Sequence, residues 1–190
     1  MKRKNIVHIS LTKKGSLNKA IEFLENYTNS INYKTQLFID KLLDDGISVG
    51  QANCGVYGDN IAFRKDFRYS EDGIDGIIIA MNTSMVRREW IRNDVIVSAE
   101  VNPILMAEFG SGWLANVMQS DGYRGNELNV GQGTFPGGTH AFDPEGWYWV
   151  DTNGDKHHSI GERPTYPMYK ASMAIIMQIS KRAKEVFEDG

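Results

Sequence analysis

Apolar positions along this chain follow a three-and-four spacing at both ends and a spacing of two through the middle. From Ser16 to Asp45, Leu17, Ala20, Ile21, Leu24, Tyr27, Ile31, Phe38 and Leu42 mark one face, while Glu22, Glu25, Asn29, Gln36 and Lys41 take the others. That pattern predicts a long amphipathic helix, with Ser16 as N-cap and Gly46 as the left-handed stop. After Gly46 the period becomes two. Ile47 and Val49, then Ile61, Phe63, Phe67 and Tyr69, alternate with small or charged residues, which predicts half-buried strands. Gly76 to Asn82 is continuously apolar and Val95 to Val101 is β-branched, so both read as inner strands of an antiparallel sheet. Asp72-Gly73 and Asn93-Asp94 supply turns.

Between Gly110 and Gly146 no period survives. Nine glycines and two prolines punctuate the stretch, and Trp113, Tyr123, Phe135 and Phe142 are spread along it. This predicts a long loop or arm, whose aromatic residues suit ordering against a partner; its polar and glycine content also fits a disordered surface insertion. Trp147 to Asp155 then alternates into Asn153-Gly154, a strong hairpin signal. Beyond Pro164 and Pro167, Ala171, Ile175, Ile179, Ala183 and Val186 line one face of a second helix, with Lys181, Arg182 and Lys184 near its C-terminal end, where cations favour the dipole. The expected fold class is α+β: one domain over 1–190, two long helices on an antiparallel sheet, with 110–146 as an extended insertion.

Composition narrows the function. The 190 residues carry a formal net charge of -3, too little basic charge for a protein dominated by nucleic-acid binding. The single cysteine, Cys54, cannot form an internal disulfide and reads as a small buried apolar residue, which fits a reducing compartment. No apolar run approaches the roughly 18 residues of a membrane span, so no membrane partner is expected.

The candidate chemistry is sparse. Asp151, Asn153, Asp155 and Glu162 fall at positions one, three, five and twelve of a calcium-loop spacing, but Lys156 occupies the place that needs glycine and the flanks read as strands. A hairpin turn explains the same residues. His157 and His158 point to opposite faces of a strand, and His8 and His140 stand alone. Arg87, Arg88 and Arg92 around Trp90 could meet a nucleic-acid backbone, although Glu89 and Asp94 dilute the patch. No nucleophile is paired with a base in any recognisable motif, so neither catalysis, a cofactor nor a metal is expected.

Two stretches carry a family resemblance. Ala107-Glu108-Phe109-Gly110-Ser111-Gly112 resembles the Glu-Phe-Gly-Thr-Gly signature of a tail-component family of long-tailed bacteriophages, with Ser111 in place of threonine. Gly161 to Ala171 (GERPTYPMYKA) resembles that family's proline-containing entry into a terminal helix, with Tyr166-Pro167-Met168 where Gln-Pro-Phe is commoner. The resemblance implies a non-catalytic virion protein of the neck or of tail completion, assembled in the host cytoplasm. It would form a ring around the DNA channel, six copies by analogy with tail symmetry, contacting other neck and tail proteins, with DNA only as passing cargo. On that reading Glu108 pairs with an arginine of the same or an adjacent subunit, Phe109 anchors the turn, Gly110 and Gly112 permit it, and Pro167 starts the helix. Trp113 and Phe135 would belong to the assembly interface. A closed ring requires heterologous contacts, one patch meeting a different patch on the next copy.

Overall fold

The computed structural model describes residues 15–70, 72–114 and 144–188. Helix α1 runs Ser16–Ala52, 37 residues or about 55 Å, and is followed by a 3-10 turn at Gly55–Asn60. Strands β1 (Ile61–Ser70), β2 (Gly73–Asn82), β3 (Val86–Arg92) and β4 (Val95–Val101) come next. Short helix α2 (Pro103–Phe109), strands β5 (Trp147–Val150), β6 (Lys156–Ser159) and β7 (Gly161–Glu162), and helix α3 (Pro167–Phe187) complete the order. The α+β class and both long helices agree with the sequence pattern.

Gly46 does not stop α1, and Ile47 and Val49 are helical. The reason is packing. A Cβ at Gly46 would lie 2.6 Å from the Ile78 side chain and 2.9 Å from that of Ile175, and one at Gly50 would lie 2.8 Å from the Phe63 ring. Two glycines one turn apart therefore let β1, β2 and α3 approach the same helix, and this closeness outweighs the glycine stop signal. Nor does Ser16 cap α1: Gly15, with φ of 84°, holds that position without a side-chain bond.

The strands form two sheets among the described residues, not one. Strands β1 and β2 make a two-stranded antiparallel hairpin in register from Ile61↔Asn82 to Ser70↔Gly73. The other sheet has the order β4-β3-β5-β6. Gly76 to Asn82 and Val95 to Val101 are thus strands, but among the described residues neither is interior: there β2 pairs with β1 alone, and β4 lies at an edge. The Asn93-Asp94 turn has positive φ at both residues, the geometry that matches strand twist in a two-residue hairpin. Asp151 to Asp155 closes the β5-β6 hairpin, with Val150 opposite Lys156.

Helix α3 packs antiparallel along the C-terminal half of α1. Lys170 reaches Asn53, Arg182 grips Asp45 with paired 2.7 Å bonds, and the Phe38 and Phe187 rings sit 5.9 Å apart. The β1-β2 hairpin covers the neighbouring face of α1 and ends in a groove shared by Asn32, Tyr33, Gln36, Tyr69 and Ile74. A core of Cys54, Tyr57, Ile61, Val101, Met106 and Ala107 fills the space where α1 ends, β1 begins and α2 crosses. No helix among the described residues is long and apolar enough to cross a membrane.

Candidate functional site

The segment after β4 reads Asn102-Pro103. Asn102 Oδ1 accepts from the Leu105 amide at 3.2 Å, and Pro103 fills the first helical position. These start α2, which carries Glu108 in its last turn, so the Glu-Phe-Gly stretch is a helix end and not a free turn. Gly110 follows with φ of 67°. A Cβ there would lie 2.3 Å from the Glu162 carbonyl oxygen, so this position requires glycine for close approach as well as for its dihedral. Ser111 and Gly112 then bridge Glu162 and Gly161 in antiparallel fashion.

Glu108 is buried, with 4% of its surface exposed. Its carboxylate accepts from the amide of Met168 at 2.7 Å and from that of Tyr169 at 3.1 Å. It is therefore the N-terminal cap of α3, supplied from 60 residues away in sequence, and neutralises the positive end of that helix. The local cap position is Tyr166, in the left-handed region, whose side chain makes no cap bond. Pro167 occupies the first helical position and is fully buried, where its missing amide costs nothing. Ala107 extends the joint: its carbonyl accepts from the Thr165 amide at 2.8 Å, the Tyr166 amide at 3.2 Å and the Thr165 hydroxyl at 3.1 Å. The bonds named for Glu108 go to helix amides, where an arginine partner was expected. Phe109 is half-buried, as is Trp113 at the edge of the described segment. Phe135, Tyr123, Phe142, His8 and His140 lie outside the described residues, as does 115–143, most of the expected arm.

Beside the joint, Glu162 accepts from Arg88 and from the Tyr57 hydroxyl, and Arg88 also donates to that hydroxyl at 2.8 Å. Burial, aided by the Glu162 carboxylate, pushes the Tyr57 phenol well above its ordinary value. This triad ties β3 and β7 to the core. It also redistributes two expected sites. By strand alternation Arg88, Trp90 and Arg92 share a face of β3 while Arg87, 2.8 Å from Glu89, lies on the other, so the three arginines are divided between the faces and Arg88 is engaged with Glu162. The calcium-loop residues do not converge either. The Asp151 carboxylate accepts from the amides of Asn153 and Asp155 and pairs with His157, whose ring holds its carboxyl below the usual range, while Glu162 is engaged with Arg88. Among the described residues no group of three or more His, Cys, Asp or Glu is placed to hold a metal. His157 stacks on Trp149, and His158 lies against Tyr148 on the opposite face. Cys54 is fully buried, its thiol pushed up by burial and by Glu108.

Two surfaces expose large apolar side chains. N-terminal to Asn32, α1 extends past both Phe187 and the hairpin tip, and Leu17, Ile21, Leu24, Tyr27 and Ile31 are exposed there, although Ala20 among them is buried. On α3, Met173, Ile176 and Met177 are exposed opposite the face that packs on α1 through Ala171 and Ile175. The sequence pattern marked these residues as apolar faces without showing that their large side chains are exposed. Compared with protein-family models, curated proteins and solved structures, the chain matches none.

Proposed function

We propose that this chain is a non-catalytic structural subunit of a tailed-phage virion, acting at the head-tail junction in the neck or in tail completion. It takes its place in a ring around the DNA channel, six copies by analogy with tail symmetry, binding other neck and tail proteins, while DNA passes only as cargo. The observation that most supports the reading is the joint itself. The two stretches that carry the resemblance are far apart in sequence, yet the named polar groups of one bond the backbone of the other: Glu108 caps α3 and Ala107 binds its approach. A signature spent on fixing two helices against each other supports an architectural role. The 37-residue α1, with Leu17, Ile21, Leu24, Tyr27 and Ile31 exposed along its N-terminal stretch, is the second support.

The test is a mixing experiment. The purified chain is combined with the products of the genes on either side of it, including head-closure and tail-tube proteins, and the masses are read by light scattering. A stoichiometric complex with a junction protein is the expected result; a chain indifferent to every one of them would overturn the reading.

A further inference from the structure

Leu17, Leu24, Ile31 and Phe38 are spaced by seven residues on α1, so they form one continuous seam. Its C-terminal end is covered, since Phe38 packs on Phe187 of α3. Its N-terminal end exposes its large side chains: Leu17 is 60% exposed and Leu24 56%, with the small Ala20 between them buried. This stretch, Ser16 to Ile31, is about 24 Å long. The seam that receives a helix at one end is thus continuous with a face whose large apolar side chains are exposed at the other.

The chain offers a second surface that fits it. Ile176 is 59% exposed and Met177 75%, beside Met173, on the side of α3 turned away from α1. Lys181 and Lys184 are exposed at the C-terminal end of this surface ahead of one exposed Glu188, and Glu22 and Glu25 are exposed along the arm beside one exposed Lys19, so on balance the charges flanking the two apolar faces are opposite in sign. One molecule cannot join them. Helix α3 ends against Phe38, the arm continues beyond that end, and the outer face of α3 looks away from α1.

We infer that the N-terminal arm of α1 docks on the outer face of α3 of a second copy of this chain. The contact is heterologous, arm to face, so each subunit keeps one free arm and one free face until the set closes on itself. The inference rests on the ring reading for its biological setting, and it supplies the contact that would build the ring.

Light scattering over a concentration series tests it with this chain alone. The wild-type chain forms closed multimers. Leu24→Asp and Met177→Asp, each placing a charge on one exposed surface, are monomers with unchanged thermal unfolding. An equimolar mixture of the two forms a species of twice the monomer mass and nothing larger, because it contains one intact arm and one intact face. A wild-type monomer at every concentration, a multimer of either variant, or a mixture that stays monomeric would each overturn the inference. Should either variant fail to fold, Leu24→Cys combined with Met177→Cys decides instead: oxidation yields a ladder of intermolecular disulfides, and its absence overturns the contact. Failure here is distinct from failure of the phage role, since multimers that ignore every junction protein would preserve the docking and remove the setting.

Discussion

The two halves of α1 share one apolar period and meet opposite fates. From Phe38 to Gly50 the seam is enclosed by α3 on one side and the β1-β2 hairpin on the other, with Leu42 and Leu43 buried and two glycines allowing both neighbours in. From Ser16 to Ile31 the same seam leaves Leu17, Leu24 and Ile31 exposed, with Ala20 buried among them. Residue type does not distinguish the halves, since leucine and isoleucine serve in both. The difference lies in volume where elements meet: glycine at 46 and 50 marks the half built for close approach, and the full-sized Leu17, Leu24 and Ile31 stay exposed on the other. Periodicity identifies a face, and the size of the residues on it indicates how near its partner comes.

Filling the covered half is the strongest way to break that comparison. Leucine has a better helix propensity than glycine by about 0.8 kcal/mol, so Gly46→Leu would stabilise an exposed helix. At this position the side chain meets Ile78 and Ile175. Overpacking of this kind is expected to destabilise by about 3 kcal/mol, read as a drop in the urea midpoint with an unchanged slope. Ile21→Ser, on the exposed half, is expected to change the stability of the monomer by less than about 0.5 kcal/mol. Equal losses from the two substitutions would show that the arm is buried within its own chain.

The Glu108 joint comes next in size. Glu108→Ala leaves the Met168 and Tyr169 amides without the carboxylate that accepts from them inside the protein. Losing charge-assisted bonds to buried donors costs about 2 to 3 kcal/mol. Glu108→Gln keeps one acceptor oxygen and forfeits the charge at the helix end, so about half that loss is expected. Chemical denaturation of the three proteins gives the order. An undiminished Glu108→Ala protein that no longer joins its ring would make this carboxylate an interface group instead of a cap.

Much of the architecture could be read from the pattern of residues, and the misreadings have physical causes. Strands β1 to β4 and helix α3 follow their periods because each has one face in contact with another element. Helix α2, with seven residues, is too short for a period to show. Its Asn102-Pro103 start was the available signal, a capping side chain followed by proline at the first helical position. Gly46 misled because a local stop signal yielded to tertiary packing. Glu108 was marked as important, but its role was hidden: a cap contributed by a residue 60 positions away leaves no local trace beyond a cap position, Tyr166, that cannot serve itself. The pairing of Arg88 and Glu162 was hidden for the same reason, because each belonged to a different local pattern.

The smallest effect belongs to the ionic fastening along the covered half. Glu185 accepts from Lys41 and Arg182, and these bonds hold its carboxyl down at about 2 against an ordinary value near 4.5; Arg182 likewise holds Asp45 below its usual range. A carboxyl depressed on folding contributes stability that is fully present above its unfolded value and is lost as pH falls through its folded one. Stability from Glu185 is therefore expected to be constant above about pH 5 and to decline between about 4.5 and 2. The group is partly exposed, so the effect is small and weakens with salt. The sharp form of the test compares wild type with Glu185→Gln. The wild-type chain melts slightly higher at pH 7, and the gap closes as pH approaches 2 because both then carry a neutral group. A gap unchanged at pH 2 would assign the difference to packing of α3 on α1, placing the glycines alone in control of the covered half.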